Sequence, residues 1–119
     1  MTTLYVRQPY LSWIQAGKKT FEVRVADAHV LFLKIGGCIT LRDGQGEDAM
    51  VVEAEVVKIR EFCSFFCMLQ SLTPEELNFV APDFRWDEIL CALIDIYPPH
   101  REALGVRLIE LRVIPKAAS

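Results

Sequence analysis

No stretch of this sequence is apolar for long enough to cross a bilayer. The apolar runs are short, among them "VLFL" at residues 30–33 and "ILCALI" at residues 89–94. Both fall far short of the roughly 20 residues that a span requires. The opening "MTTLYVRQPY" lacks the basic and then apolar pattern of an export signal. A cytoplasmic location with no membrane partner is therefore expected. Histidine is scarce, with only His29 and His100. The chain has four cysteines: Cys38, Cys63, Cys67 and Cys91. Cys63 and Cys67, in "CSFFC", stand four positions apart, a spacing that puts both on one face of a helix. A zinc site takes about four ligands, and both histidines lie far off in sequence, so no metal and no cofactor are expected. Without an export signal the cysteines read as reduced thiols. Free cysteine is among the most often buried residue types, so a core position is expected for them.

Linkers, low-complexity tracts and internal repeats are also missing. The 119 residues fit one domain, residues 1–119, large enough to bury a core without staples. An apolar content of 52% excludes a disordered chain. A monomer is the default expectation. Basic excess is missing too: the net charge of −3 argues against a tight, non-specific grip on nucleic acid. The charge is nonetheless uneven. Through Arg42 the basic residues Arg7, Lys18, Lys19, Arg24, Lys34 and Arg42 face only Glu22 and Asp27. The remainder of the chain is strongly acidic. A local anionic partner follows only if these basic residues converge in space.

The elements can be read in order. "TLYV" is a first strand. Pro9 opens a short helix carrying Tyr10, Trp13 and Ile14 at helical spacing, and Gly17 stops it. "TFEVRV" alternates strictly: Phe21, Val23 and Val25 share one face, and Thr20, Glu22 and Arg24 share the other. A loop with a short turn follows, then a strand in "CITLRDG". "MVVEAEVVKIREF" is the longest strand signal, and its polar parity flips. A bulge near Val56 and Val57 reconciles the two halves. Thr73, Pro74 and Glu76 form a helix-opening capping box. Trp86, Ile89, Leu90, Leu93, Ile94 and Tyr97 make an apolar helical stripe that "YPP" ends. "GVRLIELRV" is a last strand with both faces partly apolar, as expected of a strand packed on two sides. One short curled sheet with helices covering its ends, an α+β barrel, uses all of these.

"GKKTFEVR", residues 17–24, has the pattern G-x-K-x-x-E-x-R. The chain resembles the ASCH domains in this motif. It also resembles the layout of the short prokaryotic ASCH proteins, through "LKIGG", the long valine-rich strand, "IYP" and the closing "GV" strand. The resemblance spans nearly the whole chain. It implies a PUA-like small curled β-barrel of about five to six strands with covering helices. It also implies a cleft lined by the motif, with Gly17, Lys19, Glu22 and Arg24 as the family residues. Lys18, Thr20 and Arg7 are taken as neighbouring ligand-binding candidates, and Gln8 as a rim residue beside Arg7.

The chemistry of this set suits a nucleotide or nucleobase. Arg24 can fork onto a phosphate or a base edge. Glu22 can accept from an exocyclic amine, or hold Arg24 or Lys19 in place. Lys19 supplies a mobile positive charge, or a base if burial lowers its pKa. The bland alternative is a Glu22–Arg24 pair on a wet strand, worth under about 1 kcal/mol. The resemblance implies RNA or nucleotide binding. It alternatively implies a hydrolase that deacetylates N4-acetylcytidine, and more remotely a ribonuclease. In the hydrolase, Lys19 and Glu22 would be catalytic. The enzymes in question use a Thr where this chain has Glu22, and Asp83 is the nearest acidic candidate for their Glu. His100 reads as a cap at a helix end. Trp13, Tyr10 and Trp86 read as core, with base stacking the alternative for the first two. Ser12 has no visible base partner and is given no nucleophilic role.

Overall fold

The computed structural model of the chain describes residues 2–116. In chain order the elements are β1 (Thr2–Tyr5), α1 (Tyr10–Gln15), β2 (Phe21–Val25), α2 (Ala28–Leu31), β3 (Cys38–Arg42) and β4 (Val51–Phe62). Then come α3 (Phe65–Ser71), α4 (Pro74–Val80), α5 (Trp86–Ile96), α6 (Pro99–Glu102) and β5 (Val106–Val113). The strands form one sheet in the order β1-β3-β4-β5-β2. β1 runs parallel to β3, and the other pairings are antiparallel. The sheet curls into a half-barrel, an α+β fold consistent with a PUA-like domain.

The bend has an identifiable origin. Val56 pairs with Leu111 and Lys58 with Glu110, so Val57 is an extra residue in β4. Such a bulge bends its strand and increases the local twist. It also accounts for the parity flip in the sequence, because Val57 and Lys58 are both exposed. The curl brings the two edge strands near each other without pairing them. Their seam is bridged by a side chain: Arg24 Nη2 donates to the Tyr5 carbonyl at 2.6 Å.

Two apolar cores result. Leu4, Ile39, Leu41, Val52, Ala54, Val56, Ile109 and Leu111 pack with α1 and α2 residues in the first. Phe21, Val23, Val25, Val106 and Leu108 pack with α3, α4 and α5 in the second. β5 therefore feeds both cores from its two faces, as its apolar pattern implies. The capping box at Thr73 is present, with Thr73 Oγ1 accepting from the Glu76 N–H at 3.1 Å. Pro9 stands one position outside α1, as its N-cap.

Several expectations need correction. The α5 stripe is not uniformly core: Ile89 and Leu93 are buried, but Trp86 is 46% exposed and Ile94 51% exposed. Trp86 is the first residue of the helix and meets Phe66 edge-on, at 6.0 Å between ring centroids. Ile94 follows Leu93 by one position, which turns it about 100° away from the core. The cysteines are not core thiols either. Cys38, Cys63 and Cys91 are exposed, and Cys67 is half-buried. Cys63 stands outside the ends of both β4 and α3, where no element covers it.

Candidate ligand cleft

The turn after α1 sets the site up. Gly17 takes φ +78°, a conformation that L side chains rarely adopt. Its N–H donates to Ile14 O, and the Lys18 and Lys19 N–H groups both donate to Trp13 O. The chain then turns into β2, where the Thr20 N–H is held by Phe79 O at 2.9 Å. Strand alternation sends Phe21, Val23 and Val25 toward the second core, so Glu22 and Arg24 face the other way.

Lys19 is buried, at 5% exposure, and is not mobile. Its Nζ donates to Phe21 O and Val80 O, each at 2.6 Å, and lies 3.8 Å from Glu22 Oε1. The two carbonyls come from β2 and the end of α4, so the side chain also ties those elements together. Burial pushes the Lys19 pKa down from the usual 10.5. Glu22 offsets part of that fall, and the Arg24 charge adds to it. Two N–H donors are enough for both carbonyls. The amine therefore keeps one remaining valence, a third N–H or a lone pair.

Glu22 is buried as well, at 8% exposure. Its Oε2 accepts from Arg24 Nε at 2.9 Å and lies 2.7 Å from Arg24 Nη2. This is no wet-strand pair: the two side chains are only 10% and 20% exposed. Burial works against the Arg24 charge, but the Glu22 carboxylate outweighs it, and the guanidinium pKa moves upward.

The row Lys19–Glu22–Arg24 floors a cleft of about 360 Å³ between the barrel mouth and α5. The walls are largely apolar: Tyr10, Val80, Phe84, Ala92, Leu93, Ile96 and Tyr97. Arg7 and Asp43 stand at the rim. Two basic side chains approach the Tyr10 ring, with Arg7 Cζ and Lys19 Nζ each 5.9 Å from its centroid. Burial pushes the Tyr97 phenol above its usual 10.0, while the neighbouring Arg24 opposes the shift.

The seven ligand-binding candidates separate accordingly. Lys19, Glu22, Arg24 and Arg7 line the cleft, whereas Gly17, Lys18 and Thr20 lie outside its lining. Gly17 shapes the turn, and Lys18 points to solvent. Thr20 serves through its backbone, with its carbonyl accepting from the Leu111 N–H. Gln8 acts indirectly: its Nε2 donates to Asp43 Oδ2 at 3.0 Å, and its Oε1 accepts from Ser12 Oγ at 2.7 Å. Asp83 is exposed outside the cleft, in a loop where its φ is +63°. His100 lies in α6, exposed and away from the lining. Tyr10 lines the cleft, while Trp13 supports it from behind, edge-on to Tyr10 and to Phe84. Sequence reasoning missed Tyr5, Asp43, Phe84, Ile96 and Tyr97. Only for Tyr97 was there a signal, its place at the end of the α5 stripe. Among the described residues, no cluster of three or more His, Cys, Asp or Glu can hold a metal ion. None of the described helices is long and apolar enough to cross a membrane.

Comparison with known proteins agrees with this fold. The family model of the ASCH domain matches residues 4–113. A crystal structure of the hypothetical protein PH0355 superposes with a TM-score of 0.79 at 28% identity, covering 94% of this chain and 97% of that one. The solution structure of PF0455 from Pyrococcus furiosus superposes with a TM-score of 0.72 at 25% identity, covering 95% and 96%. A search of curated proteins finds no match.

Proposed function

Because the chain belongs to the ASCH domain family, we propose that it is an RNA- or nucleotide-binding protein whose cleft receives one nucleoside unit. The carrying observation is the buried Lys19–Glu22–Arg24 row beneath apolar, partly aromatic walls. The volume falls within the roughly 300–1,000 Å³ usual for small-molecule sites. Tyr10, Phe84 and Tyr97 offer surfaces on which a base can stack. Glu22 and the remaining Lys19 valence offer an acceptor and a donor for a base edge. Arg7 at the rim, beside the outer edge of the site, suits a phosphate. The acidic body supplies little long-range attraction for a nucleic-acid backbone, so the ligand is short or is a single extruded base. A single domain acting in the cytoplasm is consistent with this role.

A second reading has its own support. A lysine whose pKa is lowered by burial, beside a carboxylate, can take a proton from water. The substrate would be a nucleoside with an acylated exocyclic amine, such as N4-acetylcytidine. Water adds to the amide carbonyl, the C–N bond breaks, and cytidine and acetate leave.

Calorimetric titration with cytidine, cytidine monophosphate and short oligonucleotides tests the binding reading. Glu22→Gln and Arg24→Lys are expected to weaken binding at least tenfold, with circular dichroism unchanged. Equal affinity in both variants, or no binding by the wild type, overturns it. Chromatography of N4-acetylcytidine incubated with the protein separates the two readings: cytidine release lost in Lys19→Met selects the hydrolase.

A further inference from the structure

β4 ends at Phe62, α3 begins at Phe65, and a two-residue link joins them. Cys63 is the first residue of that link, and Ser64 is the N-cap of α3. Cys67 lies in the first turn of the helix. The arrangement brings the Cys63 and Cys67 Sγ atoms to 3.3 Å. Cys63 is exposed and Cys67 half-buried, so the pair is open to small reagents. The Ser64 Oγ accepts from the Cys67 backbone N–H at 3.0 Å, which fixes the helical turn that carries the second thiol. The Ser64 hydroxyl, and then the Cys63 thiol, hold Cys67 below the usual thiol pKa of 9.0. Cys38 and Cys91 are also exposed, but neither has a sulfur neighbour among the described residues.

We propose that Cys63 and Cys67 form a dithiol–disulfide couple that exchanges with small-molecule disulfides. The Cys67 thiolate attacks one sulfur of the disulfide RSSR. That S–S bond breaks, RS⁻ leaves, and Cys67 carries the mixed disulfide. Cys63 then loses its proton to solvent, and its thiolate attacks the Cys67 sulfur. A second RS⁻ leaves as the Cys63–Cys67 bond forms. The two cysteines give up two protons and two electrons, and RSSR becomes two RSH. The sulfurs close from 3.3 Å to a bonded distance of about 2 Å. The short link before α3 takes up the movement. This couple is independent of whatever ligand the cleft takes.

Glutathione disulfide serves as the probe. The reduced native protein is incubated with it, quenched with an alkylating reagent and digested with trypsin. Both cysteines fall in one tryptic peptide, residues 61–85. That peptide is expected two hydrogens lighter and unalkylated, returning to the dithiol form when excess thiol is added. Cys38 and Cys91 should carry only glutathione adducts, formed several-fold more slowly. In Cys63→Ser the glutathione adduct at Cys67 should persist, because no neighbour resolves it. Separate, stable adducts on Cys63 and Cys67 in the wild type would overturn the proposal. So would reaction no faster than at Cys38 and Cys91.

Discussion

Lys19 makes several contacts with one amine. It fastens β2 to the end of α4 through two backbone carbonyls, and it stays 3.8 Å from Glu22 at the cleft floor. Its titration should be visible in the stability of the whole protein. The folded pKa lies below the unfolded value of about 10.5. Between the two, the unfolded chain holds the proton and the folded chain does not, so stability rises with pH across that window. Tyr97 works in the opposite direction above 10.0, because burial raises its folded value. The window for Lys19 is therefore read below that pH, from its lowered folded value upward. Urea midpoints measured across it should climb for the wild type and stay flat for Lys19→Met. Glu22 makes a separate prediction. Without its charge, the largely buried Arg24 guanidinium loses its carboxylate partner. Glu22→Gln should cost about 3 kcal/mol of unfolding free energy, the scale of breaking a buried pair. A loss under about 1 kcal/mol would mean that the pair is solvated, as exposed pairs are.

β2 was legible residue by residue, because a strand with one apolar face must alternate. So were the capping box at Thr73 and the bulge at Val57, which leave marks in adjacent residues. α5 was less so. A helical stripe says which residues share a face but not how far along the helix that face is covered. Here the cleft opens along α5, so Ile96 lines it while 43% exposed, whereas Trp86 at the helix start and Ile94, turned away from the core, escape burial without lining it. The cysteines were misplaced for a related reason: residue-type statistics carry no information about an uncovered link such as Cys63–Ser64. The turn into β2 gives a prediction that separates shape from contact. A methyl on Gly17 meets nothing within 4 Å, so Gly17→Ala pays only for its positive φ. The cost should be about 1 kcal/mol in urea unfolding. Ligand affinity in Gly17→Ala and Lys18→Ala should stay within about twofold of wild type, because neither residue lines the cleft. A tenfold loss in Lys18→Ala would extend the site onto the outer surface.

At the scale of the whole molecule, the decisive feature is the curl. It brings β1 and β2, the two edges of one sheet, to a seam that Arg24 bridges. Sequence motifs placed Glu22 and Arg24 together, but no local pattern names the strand across the gap. Tyr5 and Asp43 therefore had no signal as cleft residues. The charge distribution is also a property of the whole. With a net charge of −3 and one basic residue, Arg7, at the rim, the protein should neutralise about one phosphate at most. The logarithm of affinity should then fall with the logarithm of salt concentration with a slope no steeper than about −1. Lengthening an oligonucleotide beyond the nucleotides nearest the cleft should add little. A slope several times steeper would point to a second, extended basic surface.

The most direct test is a nuclear magnetic resonance titration of the ¹⁵N-labelled protein with cytidine, its monophosphate and N4-acetylcytidine. The expected result is saturable shifts that map to the cleft, at Tyr10, Lys19, Glu22, Arg24, Ala92 and Tyr97, with Lys18 and His100 unmoved. Shifts confined to the outer surface, or none with any of the three at millimolar concentration, would contradict a nucleoside site over the Lys19–Glu22–Arg24 floor.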